Sequence, residues 1–271
     1  MLVEPSRLAL TFARRIDPRV PRTVRFLLLS DLHLRPFSHR TYRRIERAAR
    51  WAERHGAVAA LIAGDLLEDD REAALVAERL RRSLGSLRAV YVTGNHEATR
   101  TWQRWPFRSN DPDVVDMGMR AHGIERIDER AIAIGDVHIV GIGWRRRLGA
   151  SAAHVALLER LDQPGPAIVL AHSPDHIAGL EPERVLVALC GHTHGGQVRL
   201  PVIGAPWIPV RSRLPAYAGA MRVAGLPTYV SRGIGATVPV RFGAVPEATL
   251  IEVGPVALAA PPDALTTRII R

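Results

Sequence analysis

Short apolar runs closed by polar residues, alternating with helical stripes, set the rhythm of the first half of the chain. Residues 24–30, Val-Arg-Phe-Leu-Leu-Leu-Ser, form an apolar run without alternation, the pattern of a strand buried on both faces of a sheet. Tyr42, Ile45, Ala49 and Ala52 then recur at helical spacing over 41–54, and Gly56 ends the stripe. The pair of signals repeats. Residues 58–63 predict a second buried strand closed by Gly64-Asp65, and 70–84 a second helix through Ala73, Val76, Ala77, Leu80 and Leu84. A third strand is predicted over 88–93, closed by Gly94-Asn95-His96-Glu97. Successive βαβ units predict a largely parallel sheet with helices on its faces.

Residues 98–116 break this rhythm, with Trp102, Trp105 and Phe107 set among Arg100, Arg104 and Arg108. Short strands come next at 131–134 and 137–142 around a Gly135-Asp136 turn. A helix is predicted over 151–161 with Ser151 as its N-cap, then strands over 167–171 and 185–189. Beyond residue 198 the chain is rich in proline, glycine and valine, with strands at 228–231 and 248–253, which predicts a second sheet stacked on the first. With no repeat, low-complexity tract or linker, the expectation is one domain over 1–271. Residues 1–23 form an N-terminal arm or leading strand, 24–254 the core and 255–271 a C-terminal tail.

The polar residues cluster at strand ends. Asp31 and His33 come after the first run, Asp65 after the second, Asn95 and His96 after the third; His172 and the pair His192 and His194 close later ones. Side chains at i and i+2 of an extended chain point the same way, so His192 and His194, bracketed by glycines in Gly-His-Thr-His-Gly-Gly, are able to face one small volume. Ligands of open α/β sheets bind beyond the carboxyl ends of the strands. A lone aspartate there is ordinarily a turn or cap; five strand ends so furnished point to one crevice. His39, His55, His122, His138, His154 and His176 lie outside these motifs and are read as core or surface histidines.

Composition narrows the choice only slightly. The 271 residues carry a net charge of +10, yet all 37 basic residues are arginine and none is lysine, so the charge reflects a compositional bias and weakly supports a nucleic-acid partner. The single cysteine, Cys190, excludes an internal disulfide and is read as a small buried residue. No stretch reaches the ~20 apolar residues of a spanning helix, and the N-terminus lacks the apolar core of a signal peptide. A cytoplasmic location is expected. Leu8, Leu10, Phe12 and Ile16 among arginines leave open a peripheral contact at the inner face of the membrane.

Asp31, Asp65 and the amide oxygen of Asn95 offer three hard oxygen donors, and His33, His172, His192 and His194 four imidazoles. Seven ligands are too many for one tetrahedral ion and suit two ions sharing a carboxylate. Two ions ~3.5–4 Å apart turn a bridging water into hydroxide and clamp the oxygens of a phosphate in line with it. His96, one residue past a ligand, is placed to protonate a leaving oxygen.

In this order the motifs D-x-H, GD, GNHE, H and GHTH, from Asp31 to His194, resemble the calcineurin-like metallophosphoesterase superfamily. The resemblance implies a four-layer αββα sandwich of two mixed sheets flanked by helices, in the α/β class (α+β by some schemes). It implies one metal at Asp31, His33, Asp65 and His194 and another at Asp65, Asn95, His172 and His192, with Asp65 bridging and His96 assisting the leaving group. Asp65, Asn95 and His96 are thus the catalytic set. Two divalent ions per chain are expected, Mn²⁺ first, with Zn²⁺, Fe²⁺ and Mg²⁺ as alternatives. GHTHGGQ, then Ser231-Arg232-Gly233-Ile234-Gly235, Pro239-Val240-Arg241-Phe242 and Pro246-Glu247, is similar to a bacterial phosphodiesterase-like branch. Some members of that branch act on lipid-linked or nucleotide-sugar substrates, including UDP-2,3-diacylglucosamine. The expected reaction is phosphodiester or pyrophosphate hydrolysis of such a substrate, with nuclease or broad phosphomonoesterase action as the alternative. Asp69 stands where protein phosphatases carry a phosphate-gripping arginine, and Glu68 where purple acid phosphatases carry a tyrosine ligand. Arg100, Trp102, Arg104, Trp105, Arg232 and Arg241, together with 145–147, are candidate substrate contacts. Oligomeric state has no sequence signal.

Overall fold

The computed structural model describes residues 7–98, 109–161, 167–211, 214, 216–238 and 240–256, and the backbone of a strand at 266–270. Five α-helices and thirteen strands are present among the described residues. Strands β1 (Ala9–Ile16), β2 (Val24–Leu29), β3 (Ala57–Ala63), β4 (Arg88–Val92), β5 (Ile124–Arg126), β12 (Glu247–Gly254) and β13 (Thr266–Ile270) form the first sheet, in the order β13-β1-β12-β2-β3-β4-β5. Strands β6 (Ala131–Ile134), β7 (Val137–Ile142), β8 (Ala167–Ala171), β9 (Val185–Cys190), β10 (Gly219–Val223) and β11 (Leu226–Val230) form the second, in the order β10-β11-β9-β8-β7-β6. Pairing is parallel from β2 through β5 and from β7 through β9 to β11; β12 with β2, β6 with β7 and β10 with β11 are antiparallel.

The uninterrupted apolar runs have a direct structural cause. In β2, Leu27 and Leu29 pack under α1 (His39–Arg54), whereas Phe26 and Leu28 point between the sheets. Ala60 and Ile62 against Leu61 and Ala63 in β3 divide in the same way, as do Tyr91 against Val90 and Val92 in β4. Alternation of period two therefore sends the buried residues of these strands by turns into one core and the other. Helices α1, α2 (Ala73–Leu84) and α4 (Pro112–Ala121) cover the first sheet; α5 (Ala152–Glu159) lies over Val140, Val169 and Val185 of the second. This is the expected four-layer αββα arrangement. Each fully buried leucine contributes about 1.5–3 kcal/mol, so Leu28→Ala, which empties the space between the sheets, is a severe change.

Ser151 is the N-cap of α5 through a capping box with His154, which is buried. The second helix starts at Ala73, after a 3₁₀ turn over Asp70–Glu72 capped by Asp69. The leading segment is a strand, β1, one of the two forms expected for residues 1–23; it runs parallel to β12 along its full length and is tied to it by the buried Arg14–Glu252 ion pair. Two features have no counterpart in the sequence pattern. Strand β12 is inserted between β1 and β2, and the segment expected as a tail contains β13, paired parallel with β1. No helix among the described residues is long and apolar enough to cross a membrane.

Candidate metal centre

Asp31 and His33 stand just past β2, and Asp65 just past β3. Asn95 and His96 open the single turn α3 (Asn95–Ala98) after β4, His172 comes after β8, and His192 and His194 after β9. The backbone is bent to deliver them. Asp31, His33, Asp65, His192 and His194 all have left-handed φ values between 46° and 70°. That conformation costs a non-glycine residue of order 1–3 kcal/mol and persists only where the surroundings over-determine it. The turns lock onto each other. Asp31 N–H donates to Gly64 O, His33 N–H to Asp65 O, and Gly191 N–H to His172 O. A Cβ at Gly94 would collide with Asp65 Oδ1, and one at Gly191 would come 2.6 Å from Asp31 Oδ2, so these turns need glycine to pass the carboxylates.

Two groups of donors result, joined by Asp65. Asp31, His33, Asp65 and His194 converge in one, with His33 Nε2 3.3 Å from His194 Nε2 and His194 Nε2 3.5 Å from Asp31 Oδ1. Asp65, His172 and His192 converge in the other; Asn95 Oδ1 stands 3.1 Å from His172 Nε2 and adds an oxygen donor to it. Asp65 Oδ2 lies 3.7 Å from His33 Nε2 and 3.3 Å from His172 Nε2.

The donor chemistry fits cations at both places. His172 Nδ1 donates to Ala63 O at 2.7 Å, which leaves its Nε2 lone pair facing the centre. His192 Nε2 donates to Pro209 O at 2.7 Å, so its Nδ1 lone pair faces inward too. These two nitrogens stand 3.0 Å apart; with His172 neutral their lone pairs would face each other, and a proton on His172 Nε2 or a cation between the two rings relieves that. His33 Nδ1 donates to Glu68 Oε1 at 2.9 Å and presents Nε2 in the same manner. Burial, reinforced by His172, pushes His192 down to about 3, and burial with His33 holds His194 well below the imidazole range; both stay neutral, as ligands must. For His172 burial pulls downward, but Asp65 and Asp31 outweigh it and lift the ring to about 9, a measure of the negative charge gathered there.

Glu68, Glu97, Trp144 and Thr237 complete the surroundings, and none was picked out for such a role from the sequence. Glu68 is buried between two imidazoles. Its Oε1 accepts from His33 Nδ1 and from Thr237 Oγ1 (2.7 Å), and its Oε2 lies 3.3 Å from His96 Nδ1. Burial alone would raise its carboxyl; His33 and His96 instead hold it well below the usual carboxylate range. Glu97 accepts four backbone N–H groups, from Gly94 and Asp65 on Oε2 and from Leu66 and Leu67 on Oε1, and so staples the turn after β3 to the turn after β4. Trp144, at the end of β7, sets its ring 5.8 Å from that of His172, 5.1 Å from His192 and 4.9 Å from the buried His176. It obeys the same strand-end rule, but a search for titratable groups passes over it.

The substrate candidates fare differently. Arg100, Trp102, Arg104 and Trp105 lie outside the described residues. Arg241 is corrected: it is 2 % exposed, and its guanidinium donates to the carbonyls of Arg232, Gly235, Ala244 and His194. It holds the Ser231–Gly235 turn against the GHTH turn and has no face free for phosphate. Arg232 bonds Glu247 at 3.1 Å and lines a small cavity of about 120 Å³ with Thr11, Arg199 and Tyr229. Arg145 caps the Gly149 carbonyl, and Arg146 and Arg147 are exposed.

The family model of the calcineurin-like phosphoesterases matches residues 24–196, the stretch from β2 to the turn after His194. The chain belongs to the calcineurin-like phosphoesterase family. Within that family it is 38 % identical over 166 residues to Phosphodiesterase YaeI of Escherichia coli (strain K12), covering 59 % of this chain and 56 % of the relative. It is 37 % identical over 94 residues to the uncharacterized metallophosphoesterase YkuE of Bacillus subtilis (strain 168), covering 34 % of this chain and 32 % of that one. The match therefore spans about half or less of these two curated relatives. Among solved structures, the phosphopantetheinyl hydrolase of Mycobacterium tuberculosis overlays on 90 % of this chain and 100 % of its own, with a TM-score of 0.49 at 15 % identity.

Proposed function

We propose that the protein is a phosphodiesterase or pyrophosphatase that works with two divalent ions, Mn²⁺ first among them. The observation that carries this reading is Asp65 Oδ2, standing between His33 of one donor group and His172 of the other. Asp31, His33, Asp65 and His194 would hold one ion; Asp65, Asn95, His172 and His192 would hold the second. When bound, the pair supplies Lewis acidity to the phosphoryl oxygens and a nucleophilic water at neutral pH.

The side chains do the rest. His96 Nε2 stands 4.0 Å from Asp65 Oδ2. In the metal-free protein burial lowers its affinity for a proton, but Asp65 and Glu68 outweigh it and raise it to about 9; we assign His96 the proton handed to the departing oxygen, with Glu68 beside its Nδ1. Asn110 Nδ2 donates to His96 O at 2.7 Å and fixes the turn that carries it. Trp144 sets its ring beside His172 and His192 on one side of the centre. The substrate class favoured is an amphipathic, lipid-linked or nucleotide-linked phosphate such as UDP-2,3-diacylglucosamine, in line with the phosphodiesterase name of the Escherichia coli relative and the arginine-rich surface.

The test is a metal count beside a substrate panel. Wild type should bind two Mn²⁺ ions per chain, His192→Ala one and Asp65→Asn fewer than wild type. The loaded enzyme should hydrolyse bis(4-nitrophenyl) phosphate and at least one of UDP-2,3-diacylglucosamine, nucleotide diphosphates or lipid phosphates, and not single-stranded DNA. Equal metal counts in all three proteins, or no hydrolysis of any diester or anhydride, would sink the proposal.

A further inference from the structure

A cavity of about 590 Å³ opens directly off the donor cluster. His33, Glu68 and Thr237 form its inner wall, and Arg35, Arg40 and Arg43 its outer one. The outer wall is the start of α1, with the loop before it. All three arginines are exposed, and none has an acidic partner among the described residues. The contrast lies on the same helix, where Arg50 pairs with Glu46 at 2.7 Å.

Their position runs against local electrostatics. The amino end of a helix carries partial positive charge, which acidic residues normally offset. The first turn of α1 has no acidic residue, and Ser38 at its N-cap makes no side-chain capping bond. Arg40 thus adds a cation where the helix end already repels one, and Arg43 places a second one turn further along, on the same cavity. Burial, then the charge of Arg40, holds the neighbouring Arg44 below its ordinary value. A local rule broken without compensation inside the protein is expected at functional or strained sites, and here the break faces a cavity beside the donor cluster. Phe37, 77 % exposed at the rim, adds an apolar and aromatic surface beside it.

We infer that this cavity is a second-anion subsite: it holds a further phosphate of the substrate, beyond the one at the metal centre, between Arg35, Arg40 and Arg43. Guanidinium groups suit it, since each offers a planar fork of donors to phosphate oxygens. The subsite lies on the flank of the centre that carries Glu68 and its partner His96, so the second phosphate and the leaving group share that side. The inference rests on the hydrolase reading above and, within its nucleotide-linked and lipid-linked phosphates, selects substrates with two separated phosphate groups over those, such as UDP-2,3-diacylglucosamine, whose phosphates form a single diphosphate.

Binding and turnover test it separately. The binding probe is thymidine 3′,5′-bisphosphate, titrated calorimetrically against the full chain at fixed salt. Arg40→Ser/Arg43→Ser should weaken its binding about tenfold or more. Arg47→Ser/Arg54→Ser, with the same charge change on the same helix but away from the cavity, should leave it unchanged. In turnover, the Arg40→Ser/Arg43→Ser enzyme should show a raised KM for thymidine 3′-phosphate 5′-(4-nitrophenyl phosphate) and an unaltered one for bis(4-nitrophenyl) phosphate. Competition by phosphatidic acid in mixed micelles, against competition by the bisphosphate, tells a lipid source from a nucleotide one. Equal weakening in both double variants, or no weakening in either, overturns the subsite. Absent hydrolysis with the binding difference intact would count against the hydrolase reading alone.

Discussion

Replacing Glu68 by glutamine keeps the shape of the side chain and removes one buried negative charge. In the native protein Oε1 accepts from His33 Nδ1 at 2.9 Å and Thr237 Oγ1 at 2.7 Å, while Oε2 faces His96 Nδ1 at 3.3 Å. A glutamine with its oxygen at the first position retains two bonds, but as neutral ones, roughly half as strong as the charge-assisted pair. Its amide nitrogen would then meet His96 Nδ1 donor to donor. A hydrogen bond to a charged group is worth about 1.5–3 kcal/mol, so some 1–2 kcal/mol of the orientation of His33 is lost. Changes of this kind behind a ligating histidine cost roughly 10–100-fold in metal affinity or activity. Calorimetric titration of Mn²⁺ into wild type and Glu68→Gln should show that loss. The same substitution removes one of the charges that raise His96, so the basic limb of the kcat profile for bis(4-nitrophenyl) phosphate should move to lower pH. Unchanged Mn²⁺ affinity together with an unmoved basic limb would refute the role assigned to Glu68.

Arg241→Lys should destabilise the fold by about 2–4 kcal/mol in urea, because one ammonium cannot reach the four carbonyls its guanidinium serves. A raised KM at unchanged stability would instead restore Arg241 as a substrate contact. His176 is the pH-sensitive element beside the centre. Burial pushes its imidazole from the ordinary 6.5 down to about 4, so the folded state prefers the neutral ring. Its contribution to stability is complete above pH 6.5 and is lost as pH falls toward 4. The melting temperature of wild type should drop more between about pH 7 and about pH 5 than that of His176→Gln; parallel curves would show that His176 is not a cause.

Much of the fold was legible because hydrophobic periodicity reports burial directly. The runs at 24–30, 58–63 and 88–93 read as doubly buried strands because both cores take alternate residues of β2, β3 and β4. The strand-end residues were legible for a related reason: open sheets bring the residues just beyond their strands to one edge. Strand β1 was harder, since Arg14 and Arg15 interrupt its apolar pattern; Arg14 is buried only because Glu252, 238 residues away, meets it.

Which residues lie at the ends of buried strands follows from local pattern and from the covalent order of the motifs, and so does the family resemblance with its candidate donors. What those donors face follows from packing alone. Glu68 and Arg241 show why. One read as a missing tyrosine and the other as a phosphate contact, yet Glu68 lies between His33 and His96, and Arg241 is spent on four backbone carbonyls. These partners stand beyond the ends of β2, β4, β9 and β11, segments far apart in sequence and brought together only when the two sheets stack. Hydrogen-bond partnership across the crevice is a property of packing, and no periodicity records it.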